Sequence, residues 1–342
     1  MNAGEKKLVN LALQGGGTHG AFSWGILDKF LELDLLSIHA VSATSAGSMN
    51  AVVLAQGMME GGSQGARQLL YEFWHAVGMS GQQMGFTAKL PADFLLAPFL
   101  SAPIEFYVFN AMTNVFSPYQ FNPLNYHPVR EILKNLIDIK KLKKHSSIKL
   151  FLGATNVKSG KIRIFNTDEL SIDAVLASAC LPKLFQAVEI DNEYYWDGGY
   201  LGNPAIFPLI YNTHVKDIII LHTVPIVRES VPCTVMEIDM RLREISFNSS
   251  LMREMRAIAF VSRLIDDGWI KDKFRNKLKK LYIHCLRADQ SLKEFPRESV
   301  FVPDWNFLVR LRDLGRAAAQ AWLKENYSFI GIKSTIDFNE WL

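Results

Sequence analysis

The chain predicts an α/β protein with a mainly parallel central sheet flanked by helices. Two consecutive strand–turn–helix units open it, the apolar run at 217–223 is of the kind buried in the middle of a sheet, and 49% of its 342 residues are hydrophobic. That length suits one large domain or two smaller ones, and either buries a sizeable core. No internal repeat or dividing linker is visible, so residues 1–342 are taken as a single domain.

In the first unit, Leu8 to Gln14 is a short apolar run ending in Gly15-Gly16-Gly17-Thr18-His19-Gly20. Ala21 to Leu36 then places Phe22, Ile26, Leu27, Phe30 and Leu31 on one helical face. The second unit repeats the plan, with His39 to Ser42 as strand, Thr44 and Ser45 as turn and Ala46 to Leu54 as helix. Two such units in series predict parallel strands joined by a right-handed crossover.

Gly57 to Gly65 reads as a glycine-rich break, Ala66 to Val77 as a helix, and Gly78 to Pro128 as a long irregular insertion. The insertion carries Phe86, Phe94, Phe99, Phe106, Tyr107, Phe109, Phe116, Tyr119 and Phe121, more aromatic surface than a solvated loop needs. It is either a lid or acyl-chain wall, or an extension packed on the core. Val129 to Ile139 predicts a helix. Ile148 to Val157 and Lys161 to Phe165 predict a hairpin at a sheet edge, and Ser171 to Ala179 a short helix closed by Leu181-Pro182. Ala187 to Ile190 and Tyr194 to Trp196 form a second hairpin, which delivers Asp197. Beyond Asp217 to Thr223 the pattern is mostly helical, with Met236 to Lys271, a last strand at Leu281 to Leu286, and an amphipathic helix from Asp304 to Glu325.

A net charge of +3 gives no basis for nucleic-acid binding. Cys180, Cys233 and Cys285 are odd in number and far apart, which argues against a disulfide framework and for a reducing compartment. Neither they nor the eight histidines show metal-ligand spacing, and no cofactor is expected. The N-terminus runs into the first strand with no room for a secretory signal, and Pro98, Pro103 and Glu105 interrupt the most apolar stretch. A cytoplasmic or peripheral-membrane chain is expected. The basic runs Lys140 to Lys144 and Lys271 to Lys280 fit an anionic membrane surface or solvated helix faces equally well.

Three stretches carry chemistry. In Ala43-Thr44-Ser45-Ala46-Gly47 a serine sits at a strand-to-helix turn among small residues, where its hydroxyl stands clear of the backbone. The commonest reason for a serine there is helix capping. Gly15 to Gly17 precede a helix, and their amides can converge on one anion. Asp197-Gly198-Gly199 is either a structural D-G turn or a carboxylate brought up to the serine by two permissive residues. Ester hydrolysis needs a nucleophile, a proton acceptor and oxyanion donors, and Ser45, Asp197 and Gly15, Gly16 and Gly17 are the residue types that supply them.

Together these stretches resemble the patatin-like phospholipase family, with Ala177-Ser178-Ala179-Cys180-Leu181-Pro182 and Asn203-Pro204 also matching its pattern. The resemblance spans about residues 8–224 and leaves the C-terminal third uncovered. It implies a three-layer α/β/α fold and a lipid acyl hydrolase of the phospholipase A or lysophospholipase type. It further implies a Ser45–Asp197 dyad without histidine, an oxyanion loop at Gly15 to Gly17, and Thr18, His19, Gly20, Gly47, Gly198 and Gly199 in support. The substrate would be a lipid or phospholipid. Two departures stand out: Ala43 replaces the elbow's first glycine, and His19 occupies a place where the family more often has Arg or Lys, so it either positions the loop or packs on the first helical turn.

Two rival readings remain. Gly15 to Gly20 also fits the dinucleotide fingerprint G-x-G-x-x-G, although the second strand ends in Ser42-Ala43-Thr44-Ser45 where a ribose-binding acid is required. A catalytically silent member of the same fold, serving as an interaction module, is the other.

Overall fold

The computed structural model describes residues 6–83, 111–270 and 278–341. Its centre is an eight-stranded sheet in the order β5-β6-β3-β2-β1-β7-β8, with β4 on the free side of β3. Strand β1 (Lys7–Leu13), the helix α1 (Gly20–Leu33) and β2 (Leu36–Ala43) make the first parallel crossover. Helix α1 stops three residues earlier than its periodicity suggests, because Asp34 takes a left-handed conformation (φ 53°) and ends it. The chain thereby enters β2 at Leu36.

The second helical stretch, α2 (Ala46–Gln83), corrects the glycine-rich break. Only Gly61 and Gly62 leave helical geometry, with Gly62 at φ 59°. There the chain doubles back, so that Gly57 lies directly against the backbone of Ala66, an approach that any side chain at 57 would block. Helix continues past Val77 to Gln83 into the predicted insertion. Residues 84–110, and with them most of the aromatic run, lie outside the described residues. Of the remainder, α3 (Pro118–Phe121) is a single turn, and Phe116 and Tyr119 are exposed.

Helices α4 (Pro128–Leu136) and α5 (Ile139–His145) lead to β3 (Lys149–Asn156). β4 (Ile162–Asn166) pairs antiparallel with β3, as the hairpin reading requires. After α6 (Ile172–Ser178), β5 (Val188–Ile190) and β6 (Glu193–Asp197) form the second hairpin. Its two turn residues, Asp191 (φ 53°) and Asn192 (φ 62°), are both left-handed, which matches a tight hairpin turn to the twist of its strands. Helix α7 (Phe207–Asn212), strand β7 (Asp217–His222), helix α8 (Val235–Asp266), strand β8 (Tyr282–Arg287) and helix α9 (Trp305–Asn326) complete the chain. β7 lies between β1 and β8, parallel to both and wholly buried.

Alternation along the strands feeds two cores. Val9, Leu11, Leu13, Leu150, Leu152, Ile219 and Leu221 point to one face, against α1, α2, α6 and α9. Ala12, Phe151, Ile218, Ile220 and Ile283 point to the other, against α7, α8 and Trp341. Helices α1 and α9 cross at glycines: Gly25 faces the Arg312 carbonyl and Gly315 the Phe22 carbonyl. The C-terminal third is thus integral to both layers. No helix among the described residues is long and apolar enough to cross a membrane.

Candidate functional site

Strand register brings the two principal residues together. β4 occupies one side of β3, so β2 and β6 share the other. Along that side Leu152 pairs with Ala43, the last residue of β2, and Ala154 pairs with Asp197, the last of β6. The carboxylate-bearing strand therefore ends where β2 ends, at the turn that carries Ser45. Ser45 has φ 56°, a left-handed conformation that a serine adopts at an energetic cost. Its amide is fixed by the carbonyl and hydroxyl oxygens of Ser178, each at 3.1 Å, and Ser178 Oγ also meets Ser48 Oγ at 2.8 Å. Ser178 has no role in the sequence reading beyond its place in the matching stretch. Its neighbour in that stretch, Cys180, has its thiol pushed up to about 12 by burial and by the Asp197 charge, so it is a protonated wall and not a rival nucleophile.

Asp197 is completely buried. Its Oδ1 accepts the Gly199 amide at 2.7 Å, while Oδ2 is a buried oxygen with no hydrogen-bond partner. Burial pushes the carboxyl up to about 7, against the lowering effect of the Gly199 amide, the Ser45 hydroxyl and the Arg243 charge. The Ser45 hydroxyl is near enough to stabilise the carboxylate, but no donor completes a bond to Oδ2. One oxygen is anchored and the other is left to take up a proton.

The glycine turn departs from its expected use at one position. Gly15 touches the serine turn so closely that a Cβ on it would lie 2.5 Å from Ser45 Cβ. Its N–H, however, donates to Asn203 Oδ1 at 2.8 Å, and its carbonyl accepts from Thr223 Oγ1 at 3.1 Å. The Gly15 amide is consequently committed to the protein and unavailable to an oxyanion. The Gly16 and Gly17 amides have no acceptor among the described residues. Gly17 is left-handed (φ 56°) and lies against the Val300 carbonyl.

Thr18 and His19 are buried and both reach the 3₁₀ turn Arg297–Phe301. Thr18 Oγ1 donates to the Ser299 carbonyl at 2.6 Å, and His19 Nε2 lies 2.8 Å from Ser299 Oγ. Burial, with the Arg228 charge second, lowers His19 to about 3, so it is neutral and structural. Gly20, Gly47, Gly198 and Gly199 are all points of close approach, against Ala46, Leu13, Gly153 and Phe247 respectively. His222 is bound by Asn248 Oδ1 at 3.1 Å and held neutral by burial, as a strand-end histidine in a buried amide network with Gln14.

In front of Ser45 opens a pocket. One wall is Gly16, Gly17, His19, Leu181 and Thr223; the other is Arg228, Met240, Arg243, Glu244 and Phe247, with Val300 and Phe301 at its end. The second wall comes from α8, the segment before it and the 3₁₀ turn, none of which carries a local motif. Residues 111–128 of the aromatic insertion do not line it.

A family model described as "Patatin-like phospholipase" matches residues 11–210. No curated protein matches the chain. Among solved structures, VipD from Legionella pneumophila is similar at 18% identity and a TM-score of 0.36, over 91% of this chain and 67% of that one. The type III effector ExoU is similar at 16% identity and a TM-score of 0.30, over 91% of this chain and 53% of that one. In the ExoU–SpcU complex from Pseudomonas aeruginosa the figures are 15% and 0.32, over 94% and 76%.

Proposed function

The chain belongs to the patatin-like phospholipase family, whose members are lipid acyl hydrolases, and we propose that it cleaves carboxylic esters of lipids through Ser45 and Asp197. Ser45 Oγ attacks the acyl carbonyl as Asp197 Oδ2 takes its proton. The amides of Gly16 and Gly17, with the positive N-terminal end of α2, hold the oxyanion. Collapse of the tetrahedral intermediate breaks the ester bond, and the leaving alcohol takes the proton from Asp197. Water then attacks the acyl-serine with Asp197 again as base; the acyl–Oγ bond breaks, Ser45 Oγ takes the proton back from Asp197, and the fatty acid departs. A buried carboxyl with an elevated pKa is a competent base at neutral pH, and no histidine is required.

The observation that carries this reading is the register of β3, which sets Ala43 and Asp197 two residues apart along one edge. Support also comes from the strained Ser45 backbone and the unpartnered Asp197 Oδ2, features that a helix cap and a structural aspartate do not need. The test is labelling with a fluorophosphonate probe, mapped by peptide mass spectrometry, together with fatty-acid release from a phospholipid and neutral-ester panel with and without anionic vesicles. Labelling at Ser45 that disappears in Ser45→Ala, with turnover lost in Ser45→Ala and Asp197→Asn, is the expected result. An unlabelled Ser45 and turnover indifferent to both substitutions would sink the proposal in favour of a silent interaction module.

A further inference from the structure

The pocket wall facing Ser45 is mostly apolar, with Leu181, Val224, Met240, Phe247 and Phe301 prominent. Two arginines interrupt it, and they are not equivalent. Arg228 Nη2 lies 2.5 Å from Glu244 Oε1, and Arg241 Nη1 lies 2.9 Å from Oε2 of the same buried carboxylate. Glu244 thus answers the charge of Arg228. Arg243 has no carboxylate partner among the described residues; its guanidinium stands over the Phe301 ring, 5.2 Å from the centroid. His19, across the pocket, is neutral.

A guanidinium braced on an aromatic face keeps its N–H fork, and that fork matches the paired oxygens of a phosphate better than an ammonium does. An apolar pocket with one fixed cation that no carboxylate pairs directly suits a substrate that is acyl at one end and anionic at the other. We propose that Arg243 is the specificity residue of this site and binds the phosphodiester of a glycerophospholipid whose ester carbonyl reaches Ser45. This rests on the reading of Ser45 as nucleophile and names the substrate class for it. Triacylglycerol and simple alkyl esters leave the cation unmatched and are the poorer substrates.

The assay uses the full chain and two readouts. In mixed micelles, kcat/KM is measured on a phosphatidylglycerol and on a diacylglycerol of the same acyl composition, for the parent, Arg243→Gln and Arg243→Lys proteins. The expected result is a fall of at least tenfold in the phospholipid-to-neutral ratio in Arg243→Gln, with partial recovery in Arg243→Lys, which keeps the charge and loses the fork. An unchanged ratio in both variants overturns the proposal. The second readout needs no turnover: calorimetric binding of monomeric dihexanoyl phosphatidylglycerol to Ser45→Ala protein, with and without Arg243→Gln, and of inorganic phosphate to the same proteins. At least tenfold weaker lipid binding on loss of Arg243, with phosphate binding much weaker than the lipid, supports it. Equal lipid binding without Arg243, or phosphate binding as tightly as the lipid, overturns it. A chain that binds lipid through Arg243 yet shows no labelling at Ser45 keeps the anion site and loses the hydrolase.

Discussion

Asn203 Oδ1 accepts the Gly15 amide at 2.8 Å across 188 residues of sequence, where Gly15 lies against the Ser45 turn. That bond converts one arm of the glycine turn from an oxyanion donor into an anchor for the other two. Asn203→Ala leaves a buried N–H without a partner and frees the turn beside Ser45. The expected cost is about 1–3 kcal/mol in chemical denaturation, with ester turnover reduced about tenfold or more through misplacement of the following amides.

Burial pushes Asp197 up to about 7, and a base must be ionised to work. Turnover on a neutral ester is therefore expected to rise between pH 5 and 8 with a midpoint near 7, traced by initial rates in a constant-ionic-strength buffer. The sign for stability is the reverse. A carboxyl that holds its proton more tightly when folded favours the folded chain least above the folded pKa, so this group's contribution declines as pH rises from about 4 to 7. Asp197→Asn removes the charge while keeping an acceptor for the Gly199 amide. It is expected to melt above the parent protein at pH 8, with the gap closing toward pH 4.

Ser45 adopts a left-handed backbone that glycine accepts freely. Ser45→Gly and Ser45→Ala both abolish the hydroxyl, but only the first relieves the strain. Ser45→Gly is expected to be more stable than Ser45→Ala by about 1 kcal/mol in urea denaturation. Equal stabilities would mean the turn carries no strain to release.

Ser299 holds His19 through its hydroxyl and Thr18 through its carbonyl. Ser299→Ala removes only the first bond. With a typical hydrogen bond worth about 1 kcal/mol, kcat is expected to fall about fivefold with little change in KM, the pattern that the proposed role of the loop as a donor to the transition state requires. Pre-steady-state acylation with a chromogenic ester separates that effect from product release.

Much of this architecture was legible because its signals are local. Gly15 to Gly17, Ser45 and the Asp197-Gly198-Gly199 turn each sit at the end of a strand that propensity marks, and the order of strands and helices implies a parallel sheet. The glycine-rich break expected over Gly57 to Gly65 narrows to Gly61 and Gly62, since glycine count alone does not separate residues that leave the helix from Gly57, which stays in it for packing. Gly15 is indistinguishable from its neighbours as a donor in sequence because its partner, Asn203, is remote. Arg243, Phe301 and Ser299 left no trace as site residues: they come from a helix face and a 3₁₀ turn whose only signature is three-dimensional. His19 could not be resolved from sequence either, as its neutrality follows from burial by residues that arrive almost three hundred positions later.

The 297–301 turn is the last part of the candidate site to be synthesised. During synthesis the strands bearing the glycine turn and Ser45 emerge early, and the hairpin bearing Asp197 follows well before the chain ends. The bonds from Thr18 and His19 have no counterpart until residue 299 has been added and has folded back, and the end of the pocket at Val300 and Phe301 follows it. A nascent chain therefore carries Ser45 and Asp197 well before the candidate site around them is complete.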